Sequence, residues 1–180
     1  MIKVAIVGNI ASGKSTVEEY IQKKGFKVYD SDKIAHSILA KSKEVLNFFG
    51  TIDRKKIAEI VFSNPEKLKK LESIIHPLVK KEFEIIFEQS DPIVFISVPQ
   101  LFEAGFEKMF DKIIYVTAND DIRLERLIKR NSYSIEEAKK RIQAQNELKK
   151  KEKSDFIIEN NSSYEVLEQQ VTKILSILIG

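Results

Sequence analysis

The chain has 180 residues, of which 43% are hydrophobic and 32% are charged, a balance that is typical of one folded globular domain and excludes long disorder. No apolar run approaches the roughly 18 residues that a membrane-spanning helix needs, and the lack of cysteine excludes disulfide bonds and thiolate metal sites. Because the apolar start, Met1 to Val7, is typical of a strand and not of a signal peptide, we expect a cytoplasmic protein that engages neither a membrane nor an obligatory protein partner.

The first strand and the first helix enclose the most informative segment of the chain. Residues 8–15 read GNIASGKS and fit the pattern G-x-x-x-x-G-K-[ST], between an apolar strand and an amphipathic helix. Its glycines let the backbone wrap a phosphate, whose charge the loop N–H groups and the helix N-terminus stabilise. Lys14 is expected to reach the β- and γ-phosphates, and the Ser15 hydroxyl to ligate Mg²⁺. The pattern therefore predicts nucleotide binding.

Five short apolar runs alternate with helical patterns. The predicted strands are Ile2–Val7, Phe26–Tyr29, Ile93–Val98, Ile113–Val116 and Phe156–Ile158. The helices predicted beside them are Lys14–Lys23, Asp121–Arg130 and Tyr164–Ile179. Strands that are apolar at nearly every position are typical of a parallel sheet covered on both faces, so the alternation predicts a doubly wound α/β fold.

Two charged residues follow the second predicted strand. Asp30 and Asp32 lie where open α/β sheets place their ligands, so either carboxylate could accept a proton from a substrate hydroxyl or hold Mg²⁺ through water. Either could equally cap a helix that starts near Lys33. The sequence leaves these readings open, with one carboxylate available for each role.

Helical insertions interrupt the alternation at residues 33–89 and 131–153. In the first insertion, Asn64-Pro65 and His76-Pro77 each resemble an N-cap followed by proline at the first helical position, which predicts two helix starts. In the second, Ser134 and Glu137 have the spacing of a capping box. We therefore expect a single domain with a core (about 1–32, 90–130 and 154–180), a helical lobe (about 33–89) and a lid (about 131–153).

The second insertion and the helix before it are basic. Residues 123–153 carry a net charge of +6 and the remainder −3, which indicates either an anionic partner or a solvated helix face laced with ion pairs. Four arginines lie on related helix faces there, namely Arg123, Arg126, Arg130 and Arg141. Because phosphoryl transfer needs its moving charge neutralised, we select Arg130 and Arg141 as lid arginines.

The remaining polar candidates have simple structural readings beside functional ones. His76 fits a structural role at a helix start or a substrate contact, and the histidines lack metal-ligand spacing. Phe102 and Glu103 follow the third strand, where they could contact substrate, or serve as a core aromatic residue and a helix first-turn acid.

Taken together, these residues resemble the dephospho-coenzyme A kinase family of the P-loop kinase superfamily. The resemblance covers nearly the whole chain and rests on motifs in the same order: Gly8–Thr16, Val28–Asp32, Ile75–Leu78, Val98–Glu103, Arg126-Leu127 with Arg130, Arg141 with Gln145, and Asp155 with Ile158 and Asn160. The chain departs from the family pattern at Asn9 and Ala11, where glycines are usual, at Ser97, where aspartate is common, and at Arg123, where glutamine is usual.

The resemblance implies an α/β P-loop kinase fold with five parallel strands, a helical substrate lobe and a lid. It implies transfer of the ATP γ-phosphate to the ribose 3′-hydroxyl of dephospho-coenzyme A, with Mg²⁺, and no nucleic-acid partner. The implied catalytic residues are Asp32 as base, Lys14, Arg141 and Arg130. The implied ATP-binding residues are Gly8, Ala11, Ser12, Gly13, Lys14, Ser15, Thr16 and Asn160, the last near the adenine. The implied substrate-binding residues are Asp32, His76, Phe102 and Glu103.

Two alternative functions remain open from the sequence. Another small-molecule kinase, such as a nucleoside monophosphate kinase, would need arginines in the helical lobe to hold the acceptor phosphate, and that lobe offers Arg54 alone. A nucleotide-sensing or nucleic-acid-binding module would use the +6 segment electrostatically and would not need Asp32.

Overall fold

The computed structural model describes residues 1–89, 91–145 and 147–180, which form two compact units. The first unit comprises residues 1–29 and 91–180, and the second comprises residues 30–90. The elements of the first are β1 (Ile2–Gly8), α1 (Lys14–Lys23), β2 (Val28–Asp30, whose last residue begins the second unit), β3 (Ile93–Ser97), β4 (Lys112–Thr117), α6 (Asp120–Asn131), α7 (Ile135–Gln143), α8 (Glu147–Glu152), β5 (Phe156–Glu159) and α9 (Tyr164–Ile179). Those of the second are α2 (Ser31–Leu39), α3 (Lys43–Phe49), α4 (Arg54–Phe62) and α5 (Pro65–Glu88).

The five strands form one parallel sheet in the order β2-β3-β1-β4-β5, which confirms the predicted α/β fold. The central strand β1 pairs with β3 and with β4, so that Ile6 lies beside Ser97 and Gly8 beside Val116. Parallel strands end at the same edge of a sheet, and this edge therefore carries both the start of the residue 8–15 loop and the end of β3.

Burial explains why these strands are apolar almost throughout. Residues 4–7 of β1 are fully buried, and α1 and α9 cover one face of the sheet. The core on that face includes Val4, Ile6, Val17, Ile21, Phe95, Ile114, Leu167, Val171 and Leu175. All five predicted strands and the three predicted helices are present, and their observed bounds differ from the predicted ones by two residues at most.

After Asp30, the regular elements of the second unit among its described residues are helices, and capping side chains set their starts. Asn64 accepts a hydrogen bond from the Lys67 N–H, and Pro65 occupies the first turn of α5, as predicted. The predicted helix start at His76-Pro77 is wrong, because both residues lie inside α5. Pro77 removes one helical hydrogen bond, but buried apolar residues on both sides of it hold the helix together.

The start of α7 confirms the predicted capping box. The Ser134 hydroxyl accepts from the Glu137 N–H at 3.2 Å, and the Glu137 carboxylate accepts from the Ser134 N–H at 3.0 Å. That backbone hydrogen bond stabilises the ionised carboxylate and lowers the pKa of Glu137 below its ordinary value of 4.5. Within the described residues, no helix is long and apolar enough to cross a membrane.

Candidate functional site

The residue 8–15 segment forms a loop between β1 and α1 with an unusual backbone. Gly13 has a φ of 88° and Ala11 a φ of 59°, so two residues lie in the left-handed region within one short turn. In the described part of the chain no side chain caps α1, and its first turn contains no acidic residue. The N-terminal N–H groups of α1 are thus left for an anion, as in other phosphate-binding loops.

Three side chains hold the carbonyl groups of this loop from outside. The pairs are Arg123 Nε to Ile10 O at 3.0 Å, Arg126 Nη1 to Ala11 O at 3.2 Å, and Asn160 Nδ2 to Ser12 O at 3.0 Å. The N–H and C=O of a trans peptide unit point in opposite directions. Holding these carbonyls on the outside therefore turns the N–H groups of Ala11 and Gly13 toward the inside of the loop, where they can bind an anion, while the Ser12 N–H donates to the Asn9 carbonyl at 3.1 Å.

Close packing explains both glycines of the motif. A Cβ atom on Gly13 would lie 2.0 Å from Asn160 Nδ2, and one on Gly8 would lie 2.7 Å from Ser12 Oγ and 3.1 Å from the Val116 carbonyl. The sequence reading assigned these glycines to the wrapping of a phosphate. The structure adds that Gly13 also makes room for the Asn160 amide that holds the loop, and that Gly8 makes room for the Ser12 hydroxyl and the Val116 carbonyl.

Asn160 and Arg126 thereby have structural partners that the sequence reading did not foresee. Asn160 is buried, and Arg126 Nη2 also donates to its carbonyl oxygen at 3.2 Å. The side-chain amide of Asn160 is occupied by the loop backbone, so a contact with adenine stays a prediction. No local signal in the sequence links Asn160 to Ser12, because 148 residues separate them.

Arg123 is the most deeply buried cation of the site. Its side chain is only 1% exposed, and besides Ile10 it donates to Asp120 Oδ1 at 2.9 Å and to Gln145 Oε1 at 3.1 Å. The same Gln145 oxygen accepts from the Ile10 N–H at 2.8 Å. Arg123 and Gln145 thus hold both backbone polar groups of Ile10 and join the loop to the end of α7. The sequence analysis placed Arg123 among four arginines on related helix faces and did not select it for a role. Its i, i+4 spacing from Leu127, which is buried, was the available signal that Arg123 lies on the buried face of α6.

Lys14 lies at the start of α1 and has two partners among the residues that the structure describes. Its Nζ donates to Glu18 Oε1 at 2.6 Å and to the Ser97 hydroxyl at the end of β3. The Lys14 and Glu18 side chains are 19% and 18% exposed. The structure therefore places the ammonium of Lys14 at the sheet edge, beside the anion-binding loop, and identifies Glu18 as a partner that the sequence analysis missed.

Two buried polar groups of the loop lack partners among the described residues. Neither amide atom of Asn9, a residue 3% exposed, has a hydrogen-bond partner there, and nor does the Ser12 hydroxyl. Leaving such a group unpaired costs about 1–3 kcal/mol. Unpaired buried groups are rare in proteins and are most often completed by water or a ligand, which agrees with a binding loop.

A cavity of about 320 Å³ borders the loop and α6. Ser15 and Thr16 line it from the loop side, and Arg130 and Lys129 line it from α6. Arg130 is exposed, and its Nε donates to Asn131 Oδ1 at 2.8 Å. The structure thus brings the predicted lid arginine Arg130 to the same cavity as the predicted Mg²⁺ ligand Ser15.

Arg141, the second lid arginine, is exposed on α7 and lies over the Tyr133 ring, 4.5 Å from its centroid. The predicted lid segment also contacts the loop after β3. Lys150, which is buried, forms an ion pair with Glu103 at 2.8 Å, and Lys153 lies 5.5 Å above the Phe102 ring. Glu103 stands in a turn and not in the first turn of a helix, so that structural reading is wrong.

In the second unit, the structure separates the roles of the two aspartates. Asp30 caps α2, since its Oδ1 accepts from the N–H groups of Asp32 at 2.9 Å and Lys33 at 3.2 Å. Asp32 lies in the first turn with its side chain exposed, and His76 is partly exposed on α5. The predicted capping role is thus confirmed for Asp30, and the catalytic role of Asp32 stays a prediction.

The helices α2 and α5 also border a groove of about 660 Å³. Its apolar lining includes Ile34, Ile38, Leu78 and Ile85, and its cations are Lys33, Lys41 and Lys81. The groove therefore combines apolar surface with positive charge, a combination suited to a ligand with both apolar and anionic parts.

Comparisons with known proteins agree with one another. The model of the dephospho-CoA kinase family matches residues 2–165. The chain is 44% identical to the dephospho-CoA kinase of Fusobacterium nucleatum subsp. nucleatum over 184 residues, which cover 94% of this chain and 95% of that protein. It is 40% identical to the dephospho-CoA kinase of Carboxydothermus hydrogenoformans, over 96% of this chain and 92% of that one.

Solved structures give the same result. A Thermus thermophilus protein superimposes with a TM-score of 0.86 at 35% identity, over 99% of this chain and 98% of that one. Dephospho-CoA kinase from Campylobacter jejuni superimposes with a TM-score of 0.74 at 33% identity, over 97% of this chain and 95% of that one. Shikimate kinase from Acinetobacter baumannii, at 14% identity and a TM-score of 0.60, shares the fold. Because the likeness runs through nearly the whole chain, including the loop whose carbonyls are held from outside, this chain belongs to the dephospho-CoA kinase family.

Proposed function

We propose that this protein transfers the γ-phosphoryl group of ATP to the ribose 3′-hydroxyl of dephospho-CoA, giving CoA and ADP. The observation that carries the proposal is the anion-binding loop, whose carbonyls are held outside by Arg123, Arg126 and Asn160. Such a loop binds the phosphates of a nucleotide, and membership of the dephospho-CoA kinase family supplies the acceptor. A cytoplasmic location and independence of protein partners stay predictions.

On the donor side, N–H groups of the loop and of the start of α1 bind the ATP phosphates and orient them. The N–H groups of Ile10, Ser12 and Thr16 are not among them, because they donate to Gln145 Oε1, the Asn9 carbonyl and the Gly13 carbonyl. Lys14 follows the charge that develops on the transferred group, and Arg130 reaches the same phosphates from α6. Arg141 lies on the lid, whose closure would exclude water from the reacting phosphate. These charged and N–H groups are already oriented before the reaction, so they need little rearrangement to stabilise the charge of the transition state. This stabilisation is the main contribution that a protein makes to phosphoryl transfer.

The donor residues fit Mg²⁺ held through the nucleotide. Among the described residues, no cluster of three or more acidic or histidine side chains could hold a metal, while the Ser15 hydroxyl borders the cavity beside the loop. Mg²⁺ in kinases commonly takes one or two protein ligands and completes its shell with phosphate oxygens and water. Ser15 would be that ligand, and the bound ion would neutralise charge on the β- and γ-phosphates.

On the acceptor side, Asp32 is the proposed base. Its carboxylate accepts the proton of the 3′-hydroxyl as that oxygen bonds to the γ-phosphorus, and the bond from phosphorus to the β–γ bridging oxygen breaks to release ADP. Asp30 cannot serve equally well, because its carboxylate is engaged as the cap of α2. The α2–α5 groove, with apolar surface and three lysines, suits an acceptor that has apolar and phosphorylated parts. Contacts of His76, Phe102 and Glu103 with the acceptor stay predictions.

The first experiment incubates the protein with Mg-ATP and dephospho-CoA and identifies products by mass spectrometry, beside a panel of nucleoside monophosphates. We expect CoA and ADP in equal amounts and no phosphorylation of the panel. Phosphorylation of a nucleoside monophosphate instead would replace the proposed acceptor, and loss of all turnover in Lys14→Ala is expected in either case.

A matched pair of variants tests the base. Asp32→Asn should reduce kcat at least a hundredfold with little change in the Kd of ATP, since a general base contributes about 10²–10⁴-fold. Asp30→Asn makes the same chemical change two residues away, and asparagine caps helices as well as aspartate does. Equal losses in both variants would contradict the assignment of the base to Asp32.

A further inference from the structure

The P-loop lysine of this chain is paired with a carboxylate of its own helix. Lys14 and Glu18 stand four residues apart on α1, so they share one helix face, and their side-chain atoms approach to 2.6 Å. Both side chains are about four-fifths buried, which shields the pair from solvent more than an ordinary surface pair. The other partner of the ammonium, the Ser97 hydroxyl, is neutral.

We propose that Glu18 competes with the nucleotide phosphates for Lys14 and thereby lowers the affinity of the protein for ATP and ADP. The inference rests on the proposed function only in that the residue 8–15 loop binds nucleotide phosphates. A carboxylate and a phosphate oxygen are both anionic acceptors for the same ammonium. Binding of a nucleotide must therefore weaken or break the Lys14–Glu18 pair, and part of the attraction between Lys14 and the phosphate is offset by that loss.

Glu18 also remains charged after the exchange. A negative carboxylate one helical turn from the phosphate-binding lysine repels a polyphosphate, and its partial burial limits screening by salt. Competition for Lys14 and repulsion of the phosphates both lower the affinity for ATP and for ADP. Weaker retention of ADP suits an enzyme that must release it in every cycle, because product release limits many kinases.

The opposite role is also physically reasonable and makes the opposite prediction. If Glu18 served to hold Lys14 extended toward the phosphates, removal of its charge would free the lysine and weaken nucleotide binding. The Kd of the nucleotide in a charge-neutral variant therefore decides between a competitor and a positioning residue.

The test measures the Kd of ADP and of Mg-ATP by titration calorimetry without acceptor, at fixed ionic strength. We expect Glu18→Gln to bind both nucleotides roughly threefold to tenfold more tightly than the unaltered chain, as for loss of a partly shielded ion pair. Slower ADP release, followed by stopped flow, should accompany the tighter binding. Glu18→Ala, which also suits a helix, is the second variant if the glutamine amide makes a new contact.

Glu19→Gln is the matched control, because it removes the same charge from the next residue of α1, whose side chain is exposed. It should change either Kd by less than about twofold, since exposed charges are screened. Unchanged or weaker binding in both Glu18 variants, or equal tightening in Glu19→Gln, would overturn the proposal. Absence of nucleotide binding by the unaltered chain would instead refute the phosphate-loop assignment, and a wrong acceptor would leave this test unaffected.

Discussion

Replacement of Arg123 by methionine tests whether the buried guanidinium fixes the phosphate-binding loop. Methionine keeps the length and most of the volume of the arginine stem and removes the charge and all donors. The partners described above that it leaves include the Ile10 carbonyl, the Gln145 amide oxygen and Asp120.

The three partners are not equally affected, and this sets the magnitude. Asp120 is 69% exposed, so its charge returns to water and is not stranded. Gln145 Oε1 keeps the Ile10 N–H as a donor. Among these partners, the Ile10 carbonyl is the one that loses its donor, and loss of this partly buried hydrogen bond costs about 1–3 kcal/mol, less than the 3–5 kcal/mol of a stranded buried charge. At about 2–4 °C per kcal/mol for a chain of this size, the expected fall in Tm is roughly 3–10 °C.

The assay combines thermal unfolding with nucleotide titration. Arg123→Met should lower Tm by that amount and weaken ADP binding, because Ile10 and the following N–H groups lose their fixed orientation. Arg123→Gln retains an amide donor, so its Tm and its affinity for ADP should fall less than those of Arg123→Met. Lys129→Met, a charge removal at an exposed position of the same helix, controls for stability. The reasoning is refuted if Arg123→Met keeps the Tm and the ADP affinity of the unaltered chain.

Three further variants follow from contacts described above. Gly13→Ala should abolish measurable ADP binding in calorimetry, because the new methyl group would meet the buried Asn160 amide at 2.0 Å and the backbone has a φ of 88°. Glu103→Ala should lower Tm more than Lys150→Met does. Glu103→Ala strands the buried ammonium of Lys150, whereas Lys150→Met leaves a Glu103 carboxylate that is 53% exposed. A larger fall in Tm for Lys150→Met would contradict this burial argument. The pKa of Glu137 in the folded state lies below 4.5. The ionised carboxylate therefore stabilises α7 fully above pH 4.5, and this stabilisation disappears as the pH falls through the lowered folded-state pKa. Hydrogen-exchange protection of α7 between pH 6 and 3 should show this loss in the unaltered chain, and Glu137→Gln should show no such step.

The sequence predicted the parts of the fold that local patterns determine. The loop between β1 and α1, the five apolar strands and the caps at Asn64 and Ser134 each follow from a few neighbouring residues. The failure at His76-Pro77 has the same local pattern as the success at Asn64-Pro65. Only the burial of α5 on both sides of Pro77, a long-range property, distinguishes the two.

The site shows the same division. The glycines and Lys14 are readable because the chemistry of the loop demands them at fixed spacing. The sequence does not reveal that Asp30 caps α2 while Asp32 is exposed. That difference depends on hydrogen-bond directions, which the positions of two nearby carboxylates in the sequence do not determine. The burial of Arg123 depends on partners 113 and 22 residues away, and a charge pattern alone favours a surface position.

The hydrogen bonds that hold the loop also set when, during synthesis, the chain can acquire its nucleotide site. The loop leaves the ribosome early, yet the groups that fix its carbonyls lie 113, 115 and 148 residues later. A nascent chain that ends just before Asn160 contains all five strands but lacks the amide that secures Ser12. A fully held nucleotide loop therefore requires the chain through Asn160, and ATP in the cell can stabilise folding intermediates that include this residue but not shorter ones.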